Sequence, residues 1–85
     1  MADLPSPAAL AEALEDATAA HADYESTALK GIVDDRWSGF CAAFVVGRLG
    51  EFTPAGRLAA LLEEVDAPGD WPAAAAAHVL TKLRS

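Results

Sequence analysis

Cysteine is nearly absent from this chain of 85 residues: Cys41 stands alone, so no internal disulfide can form. A domain of this size without a staple suits a reducing compartment. Basic side chains are also few. Six Lys and Arg face thirteen Asp and Glu, a formal net charge of −7. Such a chain repels phosphate backbones and carries no basic stripe, so nucleic acid is not an expected partner. Long apolar runs are missing. The uncharged stretch from Trp37 to Gly47 falls short of the ~20 residues that span a bilayer, so no membrane partner is expected. The opening Met1-Ala2-Asp3-Leu4-Pro5 has neither the basic start nor the apolar run of a signal peptide. The string Cys41-Ala42-Ala43-Phe44 is internal and is not a prenylation signal. The expected location is cytoplasmic. Aromatic residues make up only 7% of the chain, so a core is expected to lean on Trp37, Phe40, Phe44, Phe52, Trp71 and the leucines. Each of these contributes roughly 1.5–3 kcal/mol when fully buried.

What the chain does contain is a repeat. Trp37-Ser38-Gly39-Phe40-Cys41-Ala42-Ala43-Phe44-Val45-Val46-Gly47-Arg48-Leu49 and Trp71-Pro72-Ala73-Ala74-Ala75-Ala76-Ala77-His78-Val79-Leu80-Thr81-Lys82-Leu83 lie 34 residues apart. Superposed Trp on Trp, they share an Ala-Ala pair, a Val, a base and a final Leu. Each reads as a Trp-anchored apolar helix. The segments before them also match: Leu10-Ala11-Glu12-Ala13-Leu14-Glu15-Asp16-Ala17 pairs with Leu58-Ala59-Ala60-Leu61-Leu62-Glu63-Glu64-Val65. The first copy is longer by 14 residues, roughly Thr18 to Gly31. That insertion is where function is sought, because the frame does without it in the second copy. Shared alanine and leucine content is the alternative account of the likeness.

Helix boundaries follow from punctuation. Ser6-Pro7 is a hydroxyl cap followed by proline in the first helical turn, and Leu10, Ala13, Leu14, Ala17, Ala20, His21, Tyr24 and Ala28 recur at helical spacing. A first helix is expected over about 7–30, closed by Gly31. Asp34 or Asp35 is expected to cap a second over 35–49, with Gly50 beyond its end and Arg48 at its negative pole. Thr53-Pro54 repeats the opening signal for a third over 54–66. Ala67-Pro68-Gly69-Asp70 is a turn, and Asp70 is expected to cap a fourth over 71–84. No segment alternates with period two. The expected fold is a single all-α domain, residues 1–85 with 1–5 as a flexible start, built as two helical hairpins. The two Trp-led helices are expected side by side at its centre.

The groups able to carry chemistry concentrate in the insertion. On a helix His21, Tyr24 and Glu25 share a face, and Asp35 and Trp37 follow at the mouth of the next helix. These five residues form the candidate ligand site. A His and a carboxylate at this spacing are two of the ligands a metal needs or an acid/base pair. One His-x-x-x-Glu is also an ordinary helical pairing. Adding His78 as a third metal ligand is the weaker reading, since His78 occupies the place of Phe44 and a packed, hydrogen-bonded imidazole suits it. Cys41 lies mid-helix in apolar surroundings, the setting of an inert thiol. No catalytic residues, metal site or cofactor are assigned, and an enzyme is the less favoured class.

His21-x-x-Tyr24-Glu25, an Asp near 34 and Trp37-x-x-Phe40-x-Ala42-x-Phe44-x-Val46 resemble a short helical domain of uncharacterised bacterial proteins. There the pattern reads His-Gly-x-Tyr-Glu and then Trp-x-x-Trp-Tyr-Ala-x-Tyr-Met. The resemblance covers roughly residues 18–49 and implies no activity. Ala22, Phe40-Cys41 and Phe44 depart from it, and these exchanges remove hydroxyl and indole donors.

Apolar surface is the stronger functional clue. A helix apolar on all sides is central in a bundle or meets a partner, and small alanine faces permit close helix–helix approach. The expected function is a helical interaction module, a homodimer or an accessory subunit of a protein partner. Phe40, Phe44, Val45, Leu49, Ala75 and His78 are the expected interface. The alternative is a small-ligand or metal-binding domain on the His21/Tyr24/Glu25 face with Trp37.

Overall fold

A computed structural model describes residues 3–27 and 37–84. Four helices make up the fold: α1 (Pro7–Thr27), α2 (Trp37–Leu49), α3 (Ala55–Glu63) and α4 (Trp71–Arg84). Among the described residues there is no strand. The all-α, four-helix expectation holds. The expected continuation of α1 to residue 30, its closure by Gly31 and the capping of α2 by Asp34 or Asp35 lie outside the described residues.

The ends are built largely as the sequence dictates. Ser6 Oγ accepts from the Ala9 N–H at 3.1 Å, which satisfies one of the amides left open at a helix start. Asp70 Oδ1 does the same for the Ala73 N–H at 3.3 Å. Gly50 takes φ 90°, a conformation glycine adopts without a Cβ clash, and its N–H closes α2 on the Val46 carbonyl at 2.9 Å. The third helix departs from expectation. Its N-cap is Pro54, with no side-chain cap bond, and Thr53 is buried. The helix stops at Glu63 rather than running to 66 because its last turn tightens. Glu64 and Val65 donate to the carbonyls of Leu61 and Leu62, three residues back, the shorter spacing that commonly ends helices. The Val65 carbonyl then accepts from the Trp71 indole Nε1 at 3.2 Å.

Packing runs around a ring. The first helix lies against α2 and α4, α2 against α3, and α3 touches α4 least; no Cα of α2 comes within 8 Å of α4. The two Trp-led helices are therefore not central partners. They stand on a diagonal and meet through their heads, where Trp37 and Trp71 pack edge-to-face with centroids 5.7 Å apart. The expected reliance on large side chains holds for the core leucines and Phe52, and only in part for the other aromatics. The fully buried side chains are leucines (Leu10, Leu14, Leu58, Leu62, Leu80), Val45, Val79, Cys41 and small alanines, whereas Trp37, Phe40, Phe44 and Trp71 are partly buried around them. The cause is the small inner face of α2 and α4: Cys41-Ala42 and Ala75-Ala76 let α1 and α3 close in, leaving no room there for rings.

Burial follows the repeat. Leu10, Ala13 and Leu14 are buried, and so are Leu58, Leu61 and Leu62; Cys41, Ala42 and Val45 are buried, and so are Ala75, Ala76 and Val79. Gly39, Ala43 and Gly47 face outward, as do Ala73, Ala77 and Thr81. The two copies thus share an inside and an outside.

Candidate functional site

The insertion takes the form of a longer helix. Where α3 ends at Glu63, the matching Glu15 is followed by three further turns of α1. These turns carry His21, Tyr24 and Glu25. The His21 ring is buried and meets the Phe40 ring of α2 edge-on, centroids 5.1 Å apart. Tyr24, a residue 39% exposed, stacks on the same Phe40 at 5.5 Å. His21 Nδ1 lies 3.7 Å from Glu25 Oε1, beyond hydrogen-bond distance. The extension is thus fastened to α2 by three rings against one another, with Phe40 shared. The matching position in α4, where no extension arrives, is Ala74.

Of the five expected ligand-site residues, the structure brings His21, Tyr24 and Glu25 together. Asp35 lies outside the described residues. Trp37 sits in the indole pair with Trp71. Among the described residues no three His, Cys, Asp or Glu side chains gather to hold a metal ion. His78 instead has its Nε2 2.7 Å from Glu64 Oε1, joining α3 to α4. Burial pushes the Cys41 thiol up to about 11, because a charged thiolate is poorly solvated in an apolar core. At neutral pH it is held as the unreactive thiol.

The expected interface residues divide. Val45 and Ala75 are wholly inside the chain and offer no surface. Phe40, Phe44, Leu49 and His78 are partly exposed. Beside them Gly39, Ala43 and Gly47 are exposed on α2, and Ala73 and Ala77 are exposed separately on α4. A methyl group added at Gly39 or Gly47 would meet nothing within 4 Å.

Three polar ties went unrecognised in the sequence. Arg48 pairs with Asp16 across α2 and α1, and its guanidinium lies 5.0 Å from the Phe44 ring centre. Glu64, the repeat partner of Asp16, pairs with His78. Ser38 Oγ donates to Glu63 Oε2 at 2.8 Å, linking α2 to α3. The signal was present in the alignment of the two copies, which sets Asp16 on Glu64.

No helix among the described residues is long and apolar enough to cross a membrane. The resemblance to a bacterial helical domain rests on its motif residues alone. No family model matches the chain, and neither a curated protein nor a solved structure matches it.

Proposed function

We propose that this chain is a small cytoplasmic helical interaction module that self-associates through the outer faces of α2 and α4. One observation carries the reading. In a chain of net charge −7, α2 bears no charged side chain from Trp37 to Gly47, and its outer row is Gly39, Ala43 and Gly47. Two acidic copies meet with least repulsion through an uncharged face. Glycine inside a helix costs about 1 kcal/mol relative to alanine, and the open space at Gly39 and Gly47 means that packing within the chain does not call for it. Close approach by a second helix does. The outer row of α4 repeats the pattern with alanines.

Sedimentation velocity across a concentration series tests this, comparing wild type with Ala43→Arg and Ala77→Arg. Both positions are exposed, so circular dichroism and melting temperature should stay near wild type. Wild type is expected to sediment as a species above monomer mass, and each charge is expected to shift it toward monomer. A wild type that remains monomeric at every concentration, or variants that associate as wild type does, overturns the proposal.

The ligand-binding alternative draws on the exposed Tyr24 ring beside His21 and Glu25. A thermal-shift screen of divalent metals and small molecules on wild type and His21→Ala checks it. A shift present in wild type and lost in the variant supports that reading; no shift in wild type removes it.

A further inference from the structure

We draw no further inference here: the strongest candidate, the partly exposed cluster of His21, Tyr24 and Phe40 where the end of α1 meets α2, belongs to the site already described.

Discussion

The two halves of the molecule solve one packing problem with different amounts of chain. In both, an amphipathic helix offers Leu-x-x-(Ala/Leu)-Leu to the core, and a Trp-led helix answers with a small inner face and a valine. The halves diverge where α1 runs on past the point at which α3 stops. There the first half places His21 and Tyr24 on Phe40. The second half has Ala74 and a tight turn whose carbonyl is taken by Trp71. The shared part is thus the hydrophobic frame, and the difference is an aromatic buttress. Helix α4 compensates for its slight contact with α3 by lying along α1.

If the halves are equivalent as frame, matched deletions should cost alike. Leu14 and Leu62 occupy the same place in the repeat and are both fully buried. Leu14→Ala and Leu62→Ala are each expected to lower unfolding free energy by about 2–5 kcal/mol, from lost transfer energy and the cavity left behind. Urea denaturation of the two variants reads this. A gap between them as large as either loss would show that one half carries the bundle and the other leans on it.

A smaller effect separates Cys41 from its counterpart Ala75. The ordinary thiol value is 9.0, whereas burial raises Cys41 in the folded chain to about 11. The folded state therefore keeps its proton while the unfolded chain loses it. The stabilisation is fully present below the ordinary thiol value, and is lost as pH rises through that value toward about 11. At one pKa unit per ~1.4 kcal/mol, the rise from 9.0 to about 11 amounts to a loss of about 3 kcal/mol. Melting curves between neutral and strongly alkaline pH should show Cys41→Ala, which makes the first half like the second, falling less steeply than wild type. Parallel curves would mean that the thiol titrates alike in both states.

Much of this frame was legible in the residues. Ser6-Pro7, Asp70 and Gly50 mark helix ends through their own chemistry, and the leucine spacing of α1 and α3 marks their inner faces. Three features were not legible, each because it depends on how helices meet. Periodicity gives a face but not a neighbour, so α2 and α4 read as partners when they stand on a diagonal. An aromatic count gives area but not room, so Trp37, Phe40 and Phe44 read as core although Cys41, Ala42 and Val45 fill it. A Thr-Pro pair resembles Ser6-Pro7, yet Thr53 is buried without capping and Pro54 itself is the N-cap. Within the candidate site, helical spacing placed His21, Tyr24 and Glu25 together. The tie of His21 and Tyr24 to Phe40 is a tertiary contact that local spacing does not contain.

The polar ties offer the finest comparison, because Asp16 and Glu64 are matched while their partners are not. Asp16 reaches Arg48, near the end of α2; Glu64 reaches His78, one turn earlier in α4. Arg48 and Asp16 are 42% and 46% exposed, so solvent screens the pair and its contribution is expected to stay below about 1 kcal/mol. A double-mutant cycle on Asp16→Asn and Arg48→Ala measures that coupling, which should fade in molar salt as the screening length shortens. Arg48→Ala also uncovers the Phe44 ring, whose cover by the guanidinium and its stem has a packing part that salt does not screen. The single variant should therefore retain a small destabilisation at high salt after the coupling to Asp16 has vanished. Coupling that persists in salt would place the pair among the forces that set the helix arrangement, and would make charge, alongside the leucine and alanine faces, a determinant of how the first half differs from the second.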